Sequence, residues 1–314
     1  MRRSRRTVLG VLIGGLLVVA GGRAADDTKG IAGRRLTIQD KGAVVTVEQD
    51  GKPLLRYRTV GKGHKPYVLE LTTPAGVNVL RDAPFDHLHH HGLMFACRVN
   101  GVNFWEEPAD SGRQVHQKWV TKTVRQVGDA EEVVLTEALV WQDKSGKALL
   151  EEERTLTVPE RRSGVVPVLT WKTTLKPAGS AAATLTGAVY HGLGCRFPKP
   201  MDVGGRFFNA TGASGPAAKL LGTQAAWCAY TAAPAAGKPV TVALLDEPTN
   251  PRAPATWYPK DDGFAYLSAT LGLDKKSLKV SADKPLTLRY GVIAVDGVAT
   301  KAAIEAAYDA WRGK

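Results

Sequence analysis

From residue 35 onward the chain alternates apolar and polar positions in short runs, the period-two signature of strands that bury one face. Such runs cover residues 35–40, 43–49, 54–60 and 67–71, the last ending at the turn Thr73-Pro74-Ala75-Gly76. Longer ones cover 115–127, 132–142 and 165–175. Near the end, Leu286, Leu288, Tyr290, Val292 and Ala294 fall on a single face. The density of Val, Thr and aromatic residues and the spacing of the turns predict an all-β fold, a large antiparallel β-sandwich or barrel. Helical spacing is clear once, where Ile304, Ala307, Tyr308 and Trp311 follow a cap at Thr300. That predicts one C-terminal α-helix packed on the sheets. Gly-, Pro- and Ala-rich stretches at 211–220 and 231–239 read as surface loops inside one domain, because strand pattern resumes on both sides of each.

The N-terminus breaks this pattern. Arg2, Arg3, Arg5 and Arg6 precede an apolar run at 8–20 and then Gly22-Arg23-Ala24. A basic start, a short apolar stretch and small residues at a cleavage site predict a signal peptide over residues 1–24. The apolar run falls short of the ~17–25 residues that cross a bilayer, so no anchor is expected from it. The segment Ser4-Arg5-Arg6-Thr7-Val8-Leu9 also fits a twin-arginine signal, apart from Val8 where an aromatic residue is preferred. Residues 25–314 then form the single mature domain, expected in the periplasm or outside the cell.

Removing that segment changes the electrostatic picture. It takes away five arginines and no acid, so the net charge falls from +12 to +7. The remaining Lys and Arg are scattered among acids without a basic stripe, which excludes a nucleic-acid partner. No later run is long and apolar enough to span a membrane. Cys97, Cys195 and Cys228 are odd in number, widely spaced and set in apolar strand contexts, so they read as buried thiols with room for at most one disulfide.

Candidate chemistry is concentrated. Six of the seven histidines lie between positions 86 and 191, and four sit in Asp86-His87-Leu88-His89-His90-His91, just before an apolar strand. Imidazoles displayed on a rim loop serve as general acids or bases near neutral pH, or as metal ligands. In an extended backbone His87, His89 and His91 share one side and His90 takes the other. The hairpin signal Asn100-Gly101 then turns the chain back toward this loop and delivers Trp105, Glu106 and Glu107. A flat indole beside carboxylates suits a sugar, whose ring stacks while its hydroxyls are bonded. His116 and His191 stand at strand starts and offer further ligands to the loop histidines. The proline-rich segment 245–259 carries Asp246, Asn250, Arg252, Trp257 and Tyr258 on a stiff frame.

Four motifs in fixed order carry a resemblance: Asp86-His87-x-His89-His90-x-Gly92-Leu93, Asn100-Gly101-Val102-Asn103-Phe104-Trp105, Arg113-x-Val115-His116, and Pro248-x-Asn250-Pro251-Arg252-x-Pro254-x-x-Trp257. From about Lys65 to the C-terminus the chain resembles the bacterial family labelled "methane oxygenase PmoA". His91 stands where many members carry Arg and Leu88 where many carry Pro, which implies a missing charge at that rim position. The resemblance implies a galactose-mutarotase-like supersandwich and carbohydrate chemistry.

Three functional readings follow. The first is an exported carbohydrate-active enzyme, a glycoside hydrolase or lyase and less favourably an epimerase. In it His89 or His90 and Glu106 transfer protons, while Trp105, Asn250, Arg252, Trp257 and Tyr258 bind substrate. The second makes the histidines a copper or iron centre of an oxygenase, with His87, His89, His116 and His191 around one divalent metal ion. The third is a non-catalytic carbohydrate-binding protein.

Overall fold

A computed structural model describes residues 35–59, 63–235 and 237–313. The signal read at 1–24 lies outside the described residues. The described chain is built from antiparallel strands. The first seven are β1 (Leu36–Asp40), β2 (Val44–Gln49), β3 (Lys52–Arg58), β4 (Tyr67–Leu71), β5 (Leu93–Ala96), β6 (Arg98–Val99) and β7 (Val102–Asn103). Four long ones follow: β8 (Arg113–Val127), β9 (Ala130–Gln142), β10 (Ala148–Pro159) and β11 (Pro167–Pro177). Then come β12 (Ala183–Thr186), β13 (Gly192–Arg196), β14 (Arg206–Asn209), β15 (Ser214–Gly215), β16 (Trp227–Ala235) and β17 (Lys238–Asp246). The last are β18 (Thr256–Lys260), β19 (Tyr266–Thr270), β20 (Leu278–Val280) and β21 (Leu286–Asp296), before the helix α1 (Lys301–Trp311).

One sheet runs β1-β2-β3-β4-β5-β13-β19-β18, a second β15-β14-β16-β17-β21-β11-β10-β9-β8, and a small third β20-β12-β6-β7. The two large sheets share one apolar core, to which Val45, Val47, Leu55, Leu93 and Leu193 come from the first and Leu135, Leu156, Trp171 and Leu288 from the second. The all-β expectation with a single C-terminal α-helix is therefore met. Thr300 caps that helix, its Oγ1 accepting from Ala303 N at 3.2 Å. Ile304, Ala307 and Tyr308 bury against Trp227, Leu245, Ile293 and Val295, so the helix covers the outer face of β16, β17 and β21.

A charged network joins the large sheets. The Arg154 guanidinium on β10 donates to Glu152 at 2.8 and 2.9 Å, to Gln114 Oε1 at 2.8 Å, and to Tyr57 OH and Pro66 O at 3.0 Å. Tyr57 in turn bonds Glu137, and Trp141 Nε1 donates to Glu152 at 2.7 Å. Arg154 also stacks over Trp171, 4.6 Å from the ring.

One local reading changes and the cysteine reading is met. Residues 231–235 and 238–239 are strand rather than loop, with a register shift between Ala232 and Ala235 that accommodates Pro234. The three cysteines are buried free thiols, and none is paired. Among the described residues no helix is long and apolar enough to cross a membrane.

Candidate functional site

Cross-strand register builds the floor of the site. Lys260 on β18 pairs with Tyr266 on β19, which pairs with Arg196 on β13; Tyr258 pairs with Ser268, which pairs with Gly194. Directly opposed residues share a face, so Tyr258, Lys260, Tyr266, Ser268, Gly194 and Arg196 all point to one side. Gly194 is required there, because a Cβ would sit 1.7 Å from Tyr266 Oη.

Over this face lies the histidine loop. Its backbone is two consecutive turns, closed by His87 N to Pro84 O and His90 N to His87 O, each at 2.9 Å. An extended loop would have put His91 with His87 and His89. The turns instead gather His87, His89 and His90, with ring centroids 4.6–5.7 Å apart, and send His91 elsewhere. The Asn100-Gly101 hairpin forms as expected, both residues at positive φ (50° and 85°), and the chain returns to place Trp105 and Glu106 opposite the loop. The resulting cavity, about 250 Å³, is lined by His87, His89, His90, Trp105, Glu106, Tyr190, Tyr258, Lys260, Phe264 and Tyr266.

Adjacent carboxylates divide the work. Glu106 faces the cavity, held by Tyr190 Oη at 2.7 Å and Asn103 Nδ2 at 2.6 Å. Burial works against its charge, but those two hydrogen bonds outweigh it and lower the pKa, so Glu106 is ionised. Glu107 turns the other way, accepting from Lys65 Nζ at 2.6 Å and His91 Nε2 at 3.1 Å. Lys65 Nζ also holds Trp105 O at 2.9 Å, which clamps the segment from behind. His91 Nδ1 meets Asp82 Oδ1 at 2.7 Å, so both ring nitrogens face carboxylate acceptors and both must donate. Burial opposes that imidazolium, yet the bonds to Asp82 and Glu107 raise its pKa. The charge inferred to be missing at position 91 is thus present, buried rather than on the rim.

The cavity histidines behave differently. Burial, followed by the charge of Lys65, lowers the pKa of His89. Burial, with neighbouring His89, His87 and Arg196, pushes His90 down to about 2. His90 is stacked between His87 (4.6 Å) and Tyr266 (5.4 Å), and its Nδ1 lies 3.4 Å from Arg196 Nη1. Arginine only donates, so Nδ1 accepts and Nε2 carries the proton. Both imidazoles are neutral at neutral pH.

Several expected participants are placed elsewhere. Arg252 spends its guanidinium on the carbonyls of Leu271, Gly272, Lys276 and Ser277, at 2.6–3.2 Å, and is structural. Asn250 ties Asp246 to the backbone of Arg289, donating to Asp246 Oδ1 (2.7 Å) and Arg289 O (2.8 Å) and accepting from Arg289 N. Trp257 is fully buried and donates to Ala225 O at 2.8 Å; Tyr258, on the opposite face of the same strand, reaches the cavity. His116 bonds Glu137 at 2.6 Å and lines a separate hollow of about 170 Å³ with Arg58, Lys65 and Arg113. His191 is buried behind Trp105, stacked at 5.0 Å, where burial lowers its pKa to about 4.

The proposed metal ligands His87, His89, His116 and His191 are therefore divided among three places. Among the described residues no group of three His, Cys, Asp or Glu is arranged to hold a metal ion. Tyr190, Lys260, Phe264 and Tyr266 were missed. Lys260 was accessible by period-two reasoning, since it sits two positions from Tyr258 on one strand.

Several solved structures resemble this fold at low similarity. The GH36 α-galactosidase AgaB from Geobacillus stearothermophilus is 12% identical with a TM-score of 0.46, over 84% of this chain and 41% of that one. An α-galactosidase from Lactobacillus brevis is 7% identical with a TM-score of 0.44, over 83% and 39%. The putative mutarotase YeaD from Salmonella typhimurium is 10% identical with a TM-score of 0.39, over 84% and 95%. The chain thus spans about two fifths of the galactosidases' length, and at these scores the likeness bears on neither substrate nor activity. No curated protein matches the sequence. The methane-oxygenase label suggested by the motifs appears in none of these comparisons. A family profile matches residues 44–309, and the chain belongs to that family, the family of unknown function DUF6807.

Proposed function

We propose that this protein is a carbohydrate-active enzyme working by acid–base chemistry on one sugar unit, with Glu106 and His89 exchanging protons with the substrate. The observation that carries the reading is an ionised carboxylate and a neutral imidazole on one small cavity with aromatic walls. Tyr190, Tyr258 and Phe264 offer faces for the apolar side of a pyranose, whereas Trp105, expected to stack on the sugar, is fully buried and backs the wall. The volume lies just below the ~300–1,000 Å³ of ordinary small-molecule sites, which suits a single ring.

The lining also discriminates among reactions. Ordinary glycoside hydrolysis uses two carboxyl groups flanking the bond. Among the described residues Glu106 is the one carboxylate on this cavity, since Glu107 is committed to Lys65 and His91, and Asp86 to Arg196 (3.0 Å) and His87 (3.1 Å). Elimination or epimerisation, which need one base and one acid, therefore stand ahead of hydrolysis. Both groups start as proton acceptors: Glu106 or neutral His89 takes the substrate proton, and the conjugate acid so formed returns it to the leaving oxygen or to the carbon. The basic and apolar N-terminus supports action outside the cytoplasm, which N-terminal sequencing of protein from the native host tests.

The test is Glu106→Gln against a panel of methyl glycosides and uronic acids followed by NMR. Turnover of any substrate found should fall by ~10²–10⁴ with ligand affinity changed only a few-fold. Unaltered turnover in this variant would refute the assignment.

A further inference from the structure

We propose that Lys260 binds a carboxylate, and that the sugar this cavity takes is acidic, a uronic acid unit; the inference rests on the saccharide reading above. Lys260 is half-buried at the end of β18, its side chain on the cavity wall and its Nζ 4.9 Å from the Phe264 ring centre. Among the described residues it has no ion pair and no side-chain hydrogen bond, although the ionised Glu106 lines the same cavity. Asp86 is paired with Arg196 and His87, whereas Glu106 is held by the neutral donors Tyr190 and Asn103 and makes no ion pair. The next residue, Asp261, accepts from Ala217 N at 2.8 Å.

Arg196 gives the contrast. Its guanidinium packs on the same phenyl ring, 3.8 Å from the centre, but Asp86 balances its charge. Two cations flank Phe264, and one of them lacks a counter-charge. Holding an ammonium partly out of water without a partner is unfavourable, and a ligand carboxylate reverses that cost through a charge-assisted hydrogen bond. Among the described residues no other cation lines the cavity, because His89 and His90 are neutral and Arg252 is saturated by backbone carbonyls. An acidic sugar with its carboxylate on Lys260 would leave its ring against the aromatic walls and within the compass of Glu106.

Calorimetric titration of the full chain with matched pairs tests this: methyl β-D-glucuronide against methyl β-D-glucoside, and the corresponding galacturonide against the galactoside. The uronide of at least one pair should bind about tenfold or more tightly than its neutral partner, and added salt should narrow the gap. Lys260→Met should weaken uronide binding by about 10–100-fold more than it weakens neutral-sugar binding. Lys260→Arg should keep most of the preference. Thermal unfolding of both variants near the wild-type temperature confirms that the cavity is intact. Equal binding of uronide and neutral sugar, or a uronide preference that survives Lys260→Met, overturns the carboxylate assignment and leaves the saccharide reading standing. Binding of neither member of either pair overturns both.

Discussion

Two clusters of charged and polar residues are withdrawn from water in this protein, and they are treated in opposite ways. Between the large sheets, Arg154 is fully buried and its guanidinium is saturated by Glu152, Gln114, Tyr57 and Pro66 O. In the cavity, among the described residues, Lys260 has no counter-ion, and the neutral imidazoles of His89 and His90 meet edge to face instead of being paired with carboxylates. A buried charge with every valence filled is a structural element, because removing one partner strands the others. A charge or donor held in place with valences free is poised for something that arrives later. His91 and His89, two positions apart in sequence, fall on opposite sides of this line: His91 bridges two carboxylates and His89 bridges none.

The comparison can be broken most forcefully at Arg154. Arg154→Met leaves Glu152 and Glu137 buried without their cation and should destabilise the fold by about 3–5 kcal/mol. Urea unfolding with an unchanged slope measures it, and a loss below about 1 kcal/mol would show that the network is not structural in the sense argued here. His89→Ala is the mirror image. It should shift stability by no more than about 0.5 kcal/mol while lowering turnover of a cavity substrate by ~10²–10⁴. If stability falls and turnover does not, the two clusters have been assigned the wrong way round.

A smaller effect sharpens the same line at the proline-rich loop. Asn250→Ala strands Asp246 and the Arg289 backbone and should cost about 1–3 kcal/mol, with sugar affinity unchanged. A selective loss of affinity at constant stability would restore Asn250 to the binding site.

The smallest effect is graded with pH. The folded state favours the imidazolium of His91, so its contribution is complete below the unfolded pKa of ~6.5 and fades as pH rises through the higher folded value. The stability difference between wild type and His91→Gln should therefore shrink from pH 6 upward. A difference that grows over that range would mean that His91 is neutral in the fold.

Much of the architecture was legible along the chain. Residues 286–294 alternate because one face meets the core, and Ile304, Ala307 and Tyr308 recur because one helical face does; both signals are local. Residues 231–235 were misread, since Ala and Pro have weak strand preference and only their pairing with β17 makes them a strand. In the site, the clustering of His87, His89 and His90 with Trp105 and Glu106 followed from a dense loop and a hairpin that turns back on it. The division between Glu106 and Glu107 was not visible, because it is decided by Lys65 and His91 from other elements. Whether Arg252 or Lys260 is saturated by partners was equally opaque. One meets four carbonyls and the other meets none, and nothing in their own neighbourhoods in sequence says which.

By itself, then, the sequence determined the elements, the hairpin and the identity of the groups available for chemistry, because periodicity, caps and turns depend on residues within a few positions of one another. Only the tertiary structure decided which of those groups are occupied and which are free. Hydrogen-bond and ion-pair partners come from strands distant in the chain, as Glu107 finds Lys65, Arg154 finds Tyr57 and His116 finds Glu137. Lys260 is left facing the cavity by a register between β18 and β19 that fixes which side of the sheet it takes.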